Sequence, residues 1–457
     1  MITKFLPGFL PAVVAAVALS LGTAQAQTAA DLGKTLTPMG AIKAGNAAGT
    51  IPAWDGGITS PAKAGFPDFK SGGHHPDPFA KDQPLYTIDG KGFAKYDALL
   101  PEGAKAMFKT YGSTYKMIVY PTRRSAALPQ RIYDATVRNA SSAKLTGGGN
   151  GVTGAIIGVP FPVPTEGVQA IWNHIMRYRA DGARRVIGQA AVTRDGKYNM
   201  VKFRDELFAT YALPDAKEEN LNNTILYFTQ ETLSPARLAG EILLVHETLD
   251  QAKEHRRAWI YSPGTRRVRR APNVAFDNPG TNSDGLRTSD QLDIFNGSPE
   301  RYEWKLVGRK EMLVPYNAYK MHSNKLKDAD IIRPLHLNQD HARYELHRVW
   351  VLDSVLKPGM RHIYKRRTFY IDEDTWNVLA VDCYDNRDQL WRYQEAHTIN
   401  YYEIPTVWST MEATYDLQAG RYLALGFDNE EPKTVDFNVK FTVEDFSPNA
   451  LRARGVR

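Results

Sequence analysis

From Arg184 onward the chain breaks into short runs rich in Val, Ile, Tyr, Phe and Trp, separated by clusters of turn-forming residues, and this pattern constrains the fold most. The spacing predicts strands over 185–193, 198–208, 224–229, 242–246, 258–261, 268–271, 302–315, 344–352, 362–371, 378–384 and 390–402. Parallel strands need long crossovers, usually helices, and few helical patterns lie between these runs. The expected fold is therefore mainly β (α+β): one large curved antiparallel sheet forming an incomplete barrel, with helices as a lid. Several strands are apolar on both faces, as in Trp259 against Ile260 and in Phe369 and Ile371 against Tyr370. Such a sheet needs cover on each side; helices supply one, and an N-terminal arm or an apolar ligand the other.

The start of the chain reads as a cleavable signal over residues 1–26. Lys4 precedes an apolar run from Phe5 to Leu21, and Ala24-Gln25-Ala26 supplies the small-residue end. No later stretch approaches the roughly 20 apolar residues of a membrane span. The expectation is a periplasmic protein with no transmembrane segment after cleavage. Residues 27–100 read as an extended arm crowded with Gly and Pro, and 101–457 as a single half-barrel domain with insertions. Helices are expected over 101–114 and after Thr165, where Val168, Ile171, Trp172 and Ile175 recur at i, i+3, i+4 and i+7. The formal charge of +7 is too mild for a nucleic-acid partner. Cys383 is the only cysteine, which excludes an intramolecular disulfide.

An internal echo supports the antiparallel reading. "WIYSPGTRRV", 259–268, and "FYIDEDTWNV", 369–378, both run from an aromatic strand through a short turn into a second strand closing on Val. In the first, Arg267 and Arg269 share one strand face while Arg266, Val268 and Arg270 share the other, so the arginines form no single flat stripe.

Searches for chemistry give little. Gly149 to Gly154 match the dinucleotide pattern by letter, but three prolines follow where a helix must open. Ser-x-x-Lys at Ser113, Ser141 and Ser354 lacks its companion motifs. His246-Glu247 lacks the second zinc histidine, His74 and His75 read as surface residues, and Asp372 and Asp374 read as solvated turn acids. No catalytic group, metal or cofactor is expected.

Four stretches carry a resemblance: "LTPMGAIKAGNAAGTIPAWDGGI", "GVPFPVPTEGVQAIWNHIMRYR", "YSPGTRRVRRAPNVAFDNPG" and "FNGSPERYEWKLVGRKEMLVPYN". Together they resemble the secreted Gram-negative proteins of domain-of-unknown-function family 1329 across nearly the whole mature chain. That family is similar to outer-membrane lipoprotein-sorting proteins, which implies the LolA-like half-barrel whose concave face holds acyl chains. The resemblance implies a periplasmic carrier for a lipid or other hydrophobic molecule, with an exporter of the resistance-nodulation-division (RND) type and an outer-membrane protein as partners. It suggests Trp259 and Tyr261 as cavity wall. Phe369, Ile371, Trp172 and Ile175 complete the expected cavity, and Arg266, Arg267, Arg269 and Arg270 are the expected head-group or partner contacts. The alternatives are an adaptor whose cavity is plugged by Ile51, Trp54 and Ile58 of its own arm, and a hydrolase of envelope lipid or glycan.

Overall fold

The computed structural model describes residues 27–272 and 274–455; the expected signal peptide lies outside them. The amino-terminal part contributes four short strands, β1 (Tyr86–Ile88), β2 (Met117–Val119), β3 (Lys144–Thr146) and β4 (Gly151–Thr153). A first long series follows: β5 (Gly182–Val192), β6 (Tyr198–Phe208), β7 (Thr224–Ser234), β8 (Ile242–Thr248), β9 (Arg257–Ser262) and β10 (Arg267–Arg270). The second comprises β11 (Tyr302–Pro315), β12 (Tyr344–Leu356), β13 (Arg366–Asp372), β14 (Val378–Tyr384), β15 (Leu390–Tyr401), β16 (Thr406–Asp416) and β17 (Arg421–Phe427).

Fifteen of these strands form one sheet, in the order β10-β9-β8-β7-β6-β5-β17-β16-β15-β14-β13-β12, with β11 along the other side of β12 and β2-β1 at its start. Neighbours are antiparallel except for one parallel pair, Tyr344 with Val119. The ends of this order do not pair with each other, so the twisted sheet curls into an incomplete barrel and stays open. β3 and β4 form a separate hairpin.

Strands β16 and β17 join the two series through β17 and β5, yet the sequence reading does not include them. Their residues are almost all buried, so apolar and polar side chains do not alternate by face and the period-two signal is lost.

Among the described residues five helices flank the sheet: α1 (Glu102–Tyr111), α2 (Gln130–Ser142), α3 (Gly167–Met176), α4 (Asp328–Ile331) and α5 (Pro448–Gly455). α3 buries the predicted stripe against β11 and β12, and Gly167 is what lets it approach: a Cβ there would lie 2.7 Å from the Trp304 carbonyl carbon. Gly147–Gly149 form a 3-10 turn into the β3–β4 hairpin, consistent with a loop and not with a dinucleotide site. The amino-terminal segment is irregular but not loose, because Leu36, Met39, Ala41 and Ile51 are all buried.

Two apolar clusters result. The large one lies between the sheet, α1 to α3 and the amino-terminal segment. The small one, on the other face of β7 to β10, gathers Phe208, Tyr227, Leu244 and Tyr261 beneath Phe446 and Leu451 of the carboxy-terminal segment. Cys383 sits in β14, fully buried, with its thiol 3.7 Å from the Gln394 side-chain oxygen.

Candidate functional site

Antiparallel register decides which side chains share a face. Val245 pairs with Ala258 and Phe228 with Val245, and all three join the large cluster. Trp259 and Tyr261 lie one residue out of phase and join the small cluster. The Tyr261 hydroxyl donates to the Gly455 carbonyl at 2.7 Å, and Trp259 packs its ring 4.7 Å from that of His246. The hairpin is where the sequence reading puts it, but these two aromatics sit under α5, on the opposite face from the other four cavity residues. Phe369, Ile371, Trp172 and Ile175 do share the large cluster, and Phe369 meets Phe295 at 5.5 Å.

Phe295 belongs to an irregular segment, 274–300, which packs on the inner face of β7 to β9. Two aspartates anchor it. Asp290 accepts from Arg367 at 3.0 Å and lies 3.2 Å from His362 Nε2; Asp293 accepts from Arg177 at 2.5 Å and Arg179 at 2.6 Å. Burial alone would raise both carboxyls, but the arginines beside them prevail and hold both well below the usual carboxylate range. A third clasp forms at the rim, where Arg256 bridges Glu247 at 2.8 Å and the Asn296 carbonyl, and the Asn296 amide donates to Glu247 at 2.9 Å.

Beneath this segment runs a seam. A cavity of about 380 Å³ opens between Ala258 of the sheet and Ala275 and Phe276 of the segment, rimmed by Glu247, Glu254, Arg256 and Arg270. A second, smaller cavity of about 30 Å³ lies among Phe228, Leu243, Val245, Val274 and Leu292 and shares Glu247 and Arg256 with the first. The chemistry available is apolar contact with a charged mouth, the composition of a binding groove. The anchors Asp290, Asp293 and Arg256 escaped sequence reading. The available signal was "DQLDIFNG", where acids interrupt an apolar run inside a loop, since a solvated loop needs no Leu292, Ile294 and Phe295.

The arginines 266, 267, 269 and 270 are all exposed on or beside the edge strand β10, and none makes an ion pair among the described residues. Arg267 pairs in register with Ser262, Arg269 with Ile260 and Arg270 with Trp259, so both faces carry charge.

Two readings are corrected. His75 is buried, not a surface residue: Nε2 lies 2.8 Å from Glu403, and Nδ1 lies 3.2 Å from Nε2 of His322, which in turn meets Asp428 at 3.2 Å. Burial lowers its pKa despite Glu403, and the chain ties the amino-terminal segment to the sheet beside a cavity of about 620 Å³. Asp372 and Asp374 are also buried, because Arg124, Tyr316 and Thr375 replace the water their turn would otherwise hold. Ile58 and Trp54 pack against the large cluster, with the Trp54 indole donating to the Ala126 carbonyl at 3.3 Å.

Among the described residues, no helix is long and apolar enough to cross a membrane. The model of DUF1329, a family of proteins of unknown function, matches residues 87–452. An uncharacterized protein of Pseudomonas aeruginosa is 50% identical over 437 residues, covering 96% of this chain and 95% of its own. Among solved structures, a domain described as an outer membrane lipoprotein-sorting protein from Vibrio parahaemolyticus aligns over 63% of this chain and 98% of its own, at 14% identity and a TM-score of 0.43. A LolA superfamily protein from Nitrosomonas europaea aligns over 63% of this chain and all of its own, at 11% identity and a TM-score of 0.38.

Proposed function

This chain belongs to the DUF1329 family, and from that premise we propose that it is a periplasmic carrier of a lipid or other hydrophobic molecule. One observation carries the reading. The inner face of β7 to β9 is covered by an irregular segment held through charged anchors, over a seam floored by Phe228, Leu243, Val245 and Ala258. Polar anchors on an apolar floor suit a cover that lifts, since each ion pair regains water on opening while the exposed floor gains an apolar guest. Each buried methylene of that guest contributes about 0.8 kcal/mol, so an acyl chain binds without any catalytic group. The reading assigns no enzymatic step. The four exposed arginines at β10 stand at the same end of the sheet as the seam mouth and supply charge for an anionic head group. An RND-type exporter and an outer-membrane protein are the proposed donor and acceptor.

The test is native mass spectrometry with organic extraction on protein taken from its own periplasm, joined to uptake of a fluorescent fatty acid. A stoichiometric apolar adduct is expected, together with faster probe uptake in Arg256→Ala, which loses the rim clasp, and at least tenfold weaker uptake in Val245→Gln. Clean protein that takes up no probe, even as Arg256→Ala, would remove the carrier and leave the adaptor. That second reading draws on the amino-terminal segment, which contributes Met39, Trp54 and Ile58 to the packing of the large cluster.

A further inference from the structure

We propose that His347 on β12 and Asp372 and Asp374 in the β13–β14 turn together bind one divalent transition-metal ion, of the zinc or manganese class. One donor atom from each of the three lies within 4.8 Å of the other two, and all three side chains are buried. The proposal is independent of the carrier reading.

Four carboxylates are buried around the turn, and three have a cation. Glu345 accepts from Arg343 at 2.6 Å, Glu373 from Arg348 at 3.0 Å with Arg309 at 3.2 Å, and Asp374 from Arg124 at 2.6 and 2.9 Å. Asp372 has none among the described residues. Its Oδ2 accepts from the Tyr316 hydroxyl at 3.0 Å and from Thr375 at 2.6 Å, while its Oδ1 is buried with no hydrogen-bond partner. A fully buried carboxylate without an ion pair of its own is costly, so the site calls for a positive charge at that free oxygen.

His347 is arranged to share in supplying its ligand set. Nε2 lies 2.9 Å from Glu345 Oε2, and Glu345 is itself oriented by the Asn317 amide at 2.9 Å and the Arg123 backbone N–H at 2.8 Å. A carboxylate so placed holds the proton on Nε2 and leaves the Nδ1 lone pair as the donor, the arrangement that orients histidine ligands in metalloproteins. The ring cannot turn away, because Tyr316 stacks on it at 3.8 Å. Asp374 spends one lone pair of each oxygen on Arg124 and keeps the others.

One imidazole and two carboxylate oxygens favour zinc or manganese over calcium, which takes six to eight oxygens, and over copper(I), which takes sulfur. Tetrahedral ligands about 2.0–2.1 Å from zinc stand roughly 3.3 Å apart, so donors that now lie within 4.8 Å of one another must draw together to hold the ion, with water as the fourth ligand. The expected role is structural. The same turn grips the amino-terminal segment, through Arg124 to the carbonyls of Ile42, Lys43 and Pro52 and through Glu373 to the Ile42 N–H. A metal under the turn would stiffen that grip.

A proton is the competitor: burial, then Asp374, pushes Asp372 up to about 6, so an added proton could neutralise it instead. Elemental analysis of protein isolated without chelator, with thermal unfolding in zinc, manganese, calcium or magnesium chloride, separates the two. One equivalent of zinc or manganese is expected, lost in Asp372→Asn and in His347→Gln while both keep the native circular dichroism. A chelator should lower the wild-type Tm and speed proteolysis within 27–84, and leave both variants unmoved. Metal-free wild type whose Tm no ion raises, with Asp372→Asn as stable as wild type or more so above pH 7, would overturn the proposal in favour of the proton. Equal metal content in wild type and both variants would overturn it too, by placing the ion elsewhere.

Discussion

Two hairpins in this sheet repeat one local pattern at different depths. In the β9–β10 hairpin Arg266 takes φ 52°, and in the β13–β14 hairpin Trp376, at the matching place, takes φ 63°. Neither is the glycine that a left-handed position favours. The outer turn exposes Pro263 to Arg267 to water, whereas the inner one buries all of Asp372 to Asn377, with Trp376 6.1 Å from Trp350 and its indole donating to the Met39 carbonyl at 3.0 Å. Turn-forming residues therefore report the path of the backbone and not its depth. Depth comes from what arrives later in space, here Arg124, Tyr316 and the amino-terminal segment.

The largest expected effect breaks that comparison most directly. Trp376→Ala should cost about 3–5 kcal/mol in urea unfolding, as large aromatic truncations do. Arg266→Ala, which keeps the same backbone strain, should stay within about 0.5 kcal/mol. Equal losses at the two places would mean that burial does not set what each turn loses with its side chain.

A second effect is pH. Asp382 of β14 is raised to about 6, foremost by burial, although Tyr370 and the N–H groups of Glu102 and Gly103 donate to it. Between its ordinary value near 3.8 and about 6, the native state keeps a proton that the unfolded chain has lost, so stability falls as pH rises through that window. Asp382→Asn should flatten this fall by on the order of 2–3 kcal/mol between pH 4 and 7, at about 1.4 kcal/mol per pKa unit. A slope unchanged in the variant would assign the titration elsewhere.

The smallest effect on stability belongs to the outer hairpin. Arg267→Glu with Arg269→Glu should change unfolding by no more than about 0.5 kcal/mol per site. The pair should instead weaken binding to anionic vesicles at low salt. A stability loss like that of the inner hairpin would show that these arginines have partners inside the fold.

Most strands were legible because one face was drier than the other or because turn residues bounded them; 198–208, 302–315 and 378–384 match the observed limits. Strand β16 is no more buried than β14, but buried Thr406, Ser409, Thr410 and Thr414 interrupt its apolar run. For the site, the hairpin was legible but its inward face was not. Trp259 and Tyr261 are the more apolar pair, but the carboxy-terminal segment claims them, leaving the smaller Ala258 for the large cluster. Alternation alone says which residues share a face, never which face looks inward. The depth of Asp372 and Asp374 was illegible for the same reason that separates the hairpins: their partners, Arg124 for Asp374 and Tyr316 for Asp372, come from distant parts of the chain.

Cys383 gives the chain a clock. Its thiol is buried on one face of β14, and burial pushes it up to about 12, so it is unreactive while that face stays covered. With no other cysteine in the sequence, every labelling event by a small alkylating reagent records one uncovering of this face of β14, where Asp290 of the covering segment sits on Arg367. When closing outpaces alkylation, the labelling rate gives the free energy of that opening under native conditions, with no denaturant and no engineered probe.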